Sequence, residues 1–472
     1  MSYRRAAFAL LLFLFAANVY RAASQAITVD EAFAYLKLMD GPASLLFTTY
    51  DACHHVLQSY LGRLSVSLFG VSAFSLRLPT LLGGALYFVV AYRFCLWLFG
   101  AGLRFFLAVA LLCLNPFVLD FLIAARGYGL ALAFLFLAFW KLARFCAGDG
   151  TSGGPLLLGS GLSLSASIAS NLTMLFPALA LALLTAFLVI FQRRGGMLAL
   201  QRYLAAVFVP AFLLMILPLS HAAPADFYYG EESLKAGLNS LAALSLDRPR
   251  LAVSGGILLL VALFPAAALA GCLNELVRGR FRKPDRGDAA LFLSGAAFWV
   301  TLAGLFAAHW LFQVRYPLGR TGIYLVLLFS LHILAAVQWS AGRQGVWTWN
   351  ARALLGFAGA LVCVFALGFR TSYFAEWDFC RLLKPMLARI ERDRPPGRAT
   401  RIGGSFEFET CINFYREKRR LTWLAPVLRQ KMQDGDFYLF TGDDRGAVAS
   451  KHLRVLLSDP VSKAVLAGQE RR

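Results

Sequence analysis

The sequence predicts an α-helical polytopic membrane protein of about eleven transmembrane helices, with amphipathic helices in its first outer loop and a small α/β domain at its C-terminal end. Three observations carry that prediction. The 472 residues are 59% hydrophobic and only 15% charged, far more apolar than a soluble chain. Apolar stretches of about 17 to 25 residues, long enough to cross a bilayer as helices, recur along residues 1–370. Residues 371–472, by contrast, hold 13 of the chain's 26 acidic residues, the composition of ordinary soluble protein. The chain therefore divides into a membrane portion, 1–370, and an extramembrane domain, 371–472. A soluble globular, disordered or fibrous protein is excluded.

The apolar stretches fall at about 6–23, 80–99, 104–122, 127–146, 155–171, 173–191, 201–221, 251–273, 290–311, 320–340 and 352–370. The first is too long, and too poor in a small-residue cleavage site, to read as a removable signal peptide. Alternating sides from a cytoplasmic N-terminus puts Arg4, Arg5, Lys141, Arg144, Arg193, Arg194, Arg202, Arg278, Arg280, Arg282, Lys283, Arg286, Arg343 and Arg352 inside, in accord with the positive-inside rule. The outer side receives nine of the membrane portion's 13 acids and the C-terminal domain. Much of the net charge of +20 is thus orientation charge. No basic patch interleaved with exposed aromatics marks a nucleic-acid surface.

Two outer segments exceed what membrane packing needs. The first outer loop, 24–79, is over 50 residues long, and loops beyond about 12 to 15 residues are usually functional or disordered. Order is indicated by AFAYLKLM after Thr28 and by VLQSYLGRLSVSLFG, where Val56, Leu57, Tyr60, Leu61, Leu64 and Leu68 recur at helical intervals before Gly70. Both read as helices lying along the membrane surface. In the tail, GFRTSYFAEWDFCRLLKPMLARIERDRPPG reads as one amphipathic helix stopped by Pro395, Pro396 and Gly397. Strand-like RIGGSFEF and DFYLFTG flank a helical ETCINFYREKRR. None of the eight cysteines forms a CxxC pair, so neither a zinc site nor a thioredoxin-type motif is indicated. Cys380 and Cys411 could pair in an oxidising compartment.

Walker A, GxSxG, HExxH and full GxGxxG signatures are all missing, which argues against nucleotide-driven and serine-hydrolase mechanisms. What remains is a set of ionisable residues at the outer ends of membrane helices, where burial is costly and function is the default hypothesis. Thr28-Val29-Asp30-Glu31 reads as a capping box; Asp30 adds a second carboxylate that could serve as general base or metal ligand. Asp51, His54 and His55 form either a helix cap with solvated imidazoles or part of an acceptor or ion site near Asp30. Asp120, Arg126 and Tyr128 share one outer turn, as an internal salt bridge or as a site for an anionic headgroup. Arg315, Tyr316 and Arg320 flank a Pro-Leu-Gly turn, as interfacial anchors or as a phosphate clamp, whose oxygens guanidinium groups match well. Gly159, Ser160, Gly161, Ser163, Ser165 and Ser167 read as a small-residue face for close helix packing, and the sequon Asn171-Leu172-Thr173, in a tight turn, carries no function.

In this order the motifs TVDEA, SLFGVSAFSLRLPTLLGG, LDFLIAARGYGLALAF and VRYPLGRTGIYL resemble the polyprenyl-phosphate-dependent glycosyltransferases of the GT-C superfamily. The resemblance is nearest to glycosyltransferase family 39, which includes protein O-mannosyltransferases and the aminoarabinose transferase of lipid A. It covers about 20–130 and, less strongly, 300–430, where RTSYFAEWDF and GGSFEFETCINFYR resemble bacterial members with an outer C-terminal domain. It implies a GT-C-like fold in the bacterial cytoplasmic membrane and transfer of a sugar from a polyprenyl-phosphate donor to a lipid, glycan or protein acceptor at the outer face, with inversion. On the matching positions Asp30 would be base or acceptor-orienting carboxylate and Glu31 its partner. Arg126, Tyr128, Arg315, Tyr316 and Arg320, with Lys37, would hold the donor phosphate; Asp51, His54, His55 and Asp120 would shape the acceptor or ion site. Some relatives bind a divalent cation near the acidic motif, and the residues here identify no metal. Cys53-His54-His55-Val56 stands where many relatives have a His-Pro-Pro stretch. The competing classes are a secondary transporter or lipid flippase, whose marks are internal repeats and charges near the midplane, and an inactive scaffold. No such repeat is visible, and the charges cluster at helix ends.

Overall fold

Eight helices of the computed structural model are long and apolar enough to cross a membrane: Tyr3–Ser24, Ala73–Phe99, Tyr128–Ala147, Leu172–Ile190, Met197–Leu219, Arg286–Phe312, Gly319–Ala341 and Val346–Leu367. The structure describes residues 2–149, 153–191, 196–227, 229–247, 255–278, 284–430 and 432–469, and that count applies to them. The other three expected spans take different forms. The stretch 104–122 is broken into Leu103–Cys113 and Pro116–Phe121, because Pro116 cannot donate to a preceding turn but is well placed at a helix start. Asn115 caps the second piece, accepting from the amides of Phe117 and Val118 at 3.0 and 3.3 Å. The stretch 155–171 is the Gly- and Ser-rich helix Gly153–Ser170, and 251–273 corresponds to Gly255–Val277. Arg193, Arg194, Arg280, Arg282, Lys283 and the start of the 251–273 stretch lie outside the described residues.

The second span begins earlier than its apolar run suggests. Its helix starts at Ala73, capped by Ser72 and Ser75, and carries Pro79 inside. A proline leaves the carbonyl four residues earlier without its amide partner. Here the Ser65 hydroxyl donates to that carbonyl, Ser75 O, at 2.6 Å, and Gln58 Nε2 donates to the next, Leu76 O, at 3.2 Å. The first outer loop supplies both residues from its helix Val56–Phe69, which ends at Gly70 with φ +77°. That helix buries Gln58, Ser59, Gly62 and Ser65 and exposes Leu64, Leu68 and Phe69. Its polar, small-residue face meets the protein and its apolar face is left outward, as suits a helix at a membrane surface. The expected helix after Thr28 forms as Val29–Ala34 and continues as a π-helical turn over Tyr35–Met39.

In the tail, the single helix expected from GFRTSYFAEWDF onward is two elements, a 3₁₀ segment Ala375–Cys380, non-helical at Trp377, and an α-helix Leu383–Asp393. The break falls where Phe374 and Trp377 are buried against the end of the helical bundle, 3% and 5% exposed. Four strands follow, β1 (Ile402–Gly404), β2 (Phe437–Phe440), β3 (Leu453–Ser458) and β4 (Val465–Gln469). They form one mixed sheet in the order β1-β2-β4-β3, with β1 and β2 parallel. The helix Glu409–Lys418 packs beneath the start of the first outer loop, where the Tyr415 hydroxyl accepts from the amide of Ile27 at 3.1 Å and the Thr410 hydroxyl donates to Val29 O at 3.2 Å. Cys380 and Cys411 are buried free thiols whose sulfurs stand 4.0 Å apart.

Charges collect at the two ends of the bundle. At one end Arg343 reaches Glu275 at 2.7 Å and Asp288 at 3.1 Å, and Arg286 reaches Asp149 at 3.3 Å. At the other end lies a fully buried pair. Arg77 donates to both oxygens of Glu31, from Nε at 2.8 Å and Nη2 at 2.6 Å, and spends its remaining N–H groups on the carbonyls of Ala22, Gln25 and Ala26. Glu31 also accepts from the amides of Ala125 and Thr28 at 2.8 and 2.9 Å. Burial alone would raise the Glu31 carboxyl; Arg77 and the two amides together hold it below the usual carboxylate range. One residue pair therefore ties the first outer loop to the second span and to the turn before Tyr128. Glu31→Ala or Arg77→Ala, each stranding one buried charge, should cost about 3–5 kcal/mol in denaturant unfolding of the detergent-solubilised protein. Wild-type stability in either variant would contradict this role.

Candidate active site

At the outer-loop end of the bundle, a cavity of about 380 Å³ opens between the first outer loop, the turn 122–127, and the late turn around Arg320. Its volume lies in the range of small-molecule sites, about 300–1,000 Å³. Asp30, Arg126, Tyr128, His54, His55, Arg315 and Arg320 line it, joined by Tyr50, Asn171, Phe227, Tyr229 and Tyr324. Phe176, Met215 and Leu305, from three membrane-spanning helices, make an apolar wall.

Asp30 is the focus. It occupies the first turn of helix Val29–Ala34, and its neighbour Glu31 is turned about 100° away around the helix axis. One carboxylate thus faces the cavity while the other is buried against Arg77. Asp30 Oδ2 lies 3.0 Å from Arg320 Nη2 and 3.5 Å from Arg126 Nη2. Arg126 precedes Gly127, whose φ of +72° and close approach to Ser170 O and His55 leave no room for a side chain. That glycine starts the span Tyr128–Ala147 and delivers Arg126 and Tyr128 to the same wall. Arg126 Nη1 donates to Cys53 O at 3.3 Å, while its buried Nε has no hydrogen-bond partner. Arg320 lies between the rings of Tyr229 and Trp377, at 4.7 and 5.3 Å from their centroids.

His54 and His55 line the same cavity as Asp30. His54 Nδ1 lies 3.1 Å from Thr49 O, and His55 Nδ1 lies 3.3 Å from the Asn171 side-chain amide. Nε2 of each is buried without a hydrogen-bond partner. With Arg126 Nε these are polar atoms at the cavity wall that a polar ligand would satisfy. Asn171, dismissed in sequence as part of an idle sequon, is buried and lines the cavity.

Other residues singled out in sequence stand apart from this group. Glu31 is engaged by Arg77. Lys37 pairs with Asp51 at 2.7 Å, and Asp51 also caps the amide of Cys53 at 2.8 Å; neither lines the cavity. Tyr316 exchanges backbone hydrogen bonds with Glu231 and stacks on His309 at 4.4 Å. Arg315 lines the rim, half-exposed and 3.2 Å from Glu232. Asp120 does not pair with Arg126 across its turn: its partners are Arg21, fully buried, and Arg370 at 2.7 Å. Sequence distance hid both. Among the described residues no group of three or more His, Cys, Asp or Glu side chains is placed to hold a metal ion. The neighbours of Asp30 are the guanidinium groups of Arg126 and Arg320, so this set does not fit a divalent cation.

These features define a multi-pass helical membrane protein carrying a carboxylate and two guanidinium groups together at one end of its bundle. No protein-family model matches the sequence, and no curated protein matches it. Among solved structures, the chain is similar to ArnT from Cupriavidus metallidurans bound to undecaprenyl phosphate, at a TM-score of 0.53 and 12% identity over 99% of this chain and 98% of that one. The apo state of the same protein gives a TM-score of 0.51 at 12% identity over the same shares. The likeness is one of fold.

His55 supplies a test of how dry the site is. Burial, then the charges of Arg126 and Arg320, hold its imidazole well below the ordinary value of 6.5. The unfolded chain therefore takes up a proton near pH 6.5 that the folded chain refuses, and stability falls as pH drops through that value, by up to about 1.4 kcal/mol per pH unit for one histidine. His55→Gln should flatten the acid side of an unfolding-versus-pH curve by up to that slope. An unchanged slope between pH 7.5 and 5 would contradict a buried neutral imidazole.

Proposed function

We propose that the protein is a membrane glycosyltransferase that moves a sugar from a polyprenyl-phosphate donor to an acceptor hydroxyl or similar nucleophile at the outer face of a bacterial cytoplasmic membrane. The observation that carries the reading is Asp30 shared between Arg126 and Arg320 on the wall of a cavity with an apolar, membrane-side flank. A lipid phosphate needs that combination, namely fixed cations for the head and hydrocarbon contact for the chain. The fold shared with ArnT, a protein crystallised with undecaprenyl phosphate, supports it.

In this reading the donor phosphate enters against Arg126 and Arg320, whose planar N–H forks suit its oxygens. The incoming anion competes with Asp30 for both guanidinium groups. Asp30, released from them, accepts or orients the acceptor proton. The acceptor oxygen attacks the anomeric carbon from the face opposite the phosphate, the bond from that carbon to the phosphate oxygen breaks, and configuration inverts. Negative charge grows on the departing phosphate, where preorganised cations in a dry site are worth most. Tyr50, Phe227 and Tyr229 offer rings to the sugar, and Asn171 with the two histidines offers polar atoms. The N-terminus is cytoplasmic and the 371–472 domain lies outside with the site. The acceptor is a lipid, a glycan or a protein.

In vesicles supplied with a polyprenyl-phosphate sugar, Asp30→Asn should abolish transfer yet bind undecaprenyl phosphate at least as tightly as the wild type, because the competing carboxylate is gone. Arg320→Ala should weaken that binding about tenfold or more, the loss of one charged hydrogen-bonding partner. Wild-type transfer by Asp30→Asn would remove Asp30 from the chemistry, and unchanged binding by Arg320→Ala would move the phosphate site.

A further inference from the structure

Arg320 is held from behind by a residue of the C-terminal tail. Glu376 Oε1 accepts from the backbone amide of Arg320 at 3.0 Å, and its Oε2 accepts from Arg320 Nη1 at 2.6 Å. Nη2 is left pointing at Asp30, 3.0 Å away. One guanidinium thus spans two carboxylates from opposite ends of the chain. Glu376 is 11% exposed and is not among the cavity-lining residues. The approach is close: at Gly319, with φ +51°, a side chain would stand 2.7 Å from Glu376 Oε1. Trp377, next along the chain, covers one side of the guanidinium.

The segment carrying Glu376 is anchored independently of Arg320. Arg370 and the amide of Ala375 both bind Asp120 Oδ2, at 2.7 and 2.9 Å. Arg21 Nη2 donates to Tyr373 O at 3.2 Å and Gln25 Nε2 to Thr371 O at 2.9 Å. The Phe374 ring is buried beneath the guanidinium groups of Arg21 and Arg77, at 5.4 and 5.1 Å. The anchors are buried and numerous, whereas Arg320 is a long side chain at a cavity edge. Glu376 is therefore the fixed partner and Arg320 the one that is set. Burial also pushes the Glu376 carboxyl above its ordinary range, with Arg320 opposing.

We infer that Glu376 is a positioning residue for the donor site: by clasping the backbone and one edge of Arg320, it aims the other edge at the phosphate. The inference rests on the donor reading given above. It makes the seating of the C-terminal domain on the bundle a condition for donor binding, and it gives Asp120, remote from the cavity, a share in the same task through the 370–377 segment. A charge effect alone would act in the opposite direction, since removing a carboxylate beside the site favours an incoming anion.

The test is binding of undecaprenyl phosphate to the purified full-length protein and to Glu376→Ala, Glu376→Gln and Glu376→Asp, with thermal unfolding of each. Glutamine keeps the length of the side chain and one acceptor oxygen but turns an amide N–H toward the other Arg320 donor, so Glu376→Gln should bind more weakly than wild type and more tightly than Glu376→Ala. Glu376→Ala should bind about tenfold or more weakly, because the guanidinium collapses onto Asp30. Should the alanine variant fail to fold, the aspartate variant decides: its shortened carboxylate keeps the charge and loses the reach, and it should bind more weakly than glutamine. Equal loss in the alanine and glutamine variants, wild-type binding in the alanine variant, or aspartate binding as well as glutamine would each overturn the inference. A wild-type protein that binds no undecaprenyl phosphate would overturn the donor reading itself, and this one with it.

Discussion

Arg126 and Arg320 meet on one carboxylate, Asp30, and the three segments that carry them are far apart in sequence. That meeting is the constraint on which the rest of the architecture turns. Charged groups at a membrane boundary are tolerated when paired or facing water. Bringing this set together requires the exit of the first span, the turn before Tyr128 and the turn before the Ile323–Ala341 helix to share one corner of the bundle. The buried Glu31–Arg77 pair secures the first of these segments against the second span and, through Ala125 N, against the turn that bears Arg126.

The same end of the bundle thus carries two kinds of ion pair, and their surroundings tell them apart. Glu31 and Arg77 are 1% and 0% exposed, Asp120 and Arg21 3% and 1%. In the first pair every polar atom is satisfied by backbone or by its partner, an arrangement that holds segments together and leaves nothing for a ligand. Asp30 and Arg320 are 17% and 16% exposed, border a cavity, and stand beside buried nitrogens of Arg126, His54 and His55 that have no hydrogen-bond partner. Electrostatic catalysis needs cations that are fixed before the charge develops. In the proposed transfer the first kind of pair would supply the fixing and the second the charge.

Much of this was legible in sequence, for identifiable reasons. Apolar length located the spans, and the rule that ionisable residues at helix ends need an explanation picked out Asp30, Arg126 and Arg320 together with His54 and His55. The same rule also drew in Glu31, Lys37, Asp51 and Tyr316, which the structure places away from the cavity, because nearness in sequence does not say which face of a helix a residue takes. The capping-box spacing of Thr28 and Glu31 is present in the structure, with the Glu31 side chain turned back to the Thr28 amide. Pro79 hid the true start of the second span, since the serine and glutamine that make the proline tolerable come from another helix. The partners of Asp120 lie 99 and 250 residues away, and Glu376 and Trp377 sit in a segment whose amphipathic pattern suggested an uninterrupted helix. Long-range pairings of this sort leave no periodic trace in one sequence.

The central claim is that Arg126 and Arg320 receive the phosphate of a polyprenyl donor and release Asp30 as they do so. A structure of the protein in nanodiscs with undecaprenyl phosphate bound tests it most directly. The phosphate should contact both guanidinium groups, the prenyl chain should run along Phe176, Met215 and Leu305, and the Asp30 carboxylate should have moved off Arg320. A phosphate bound elsewhere, or bound with the Asp30–Arg320 pair intact, would contradict it.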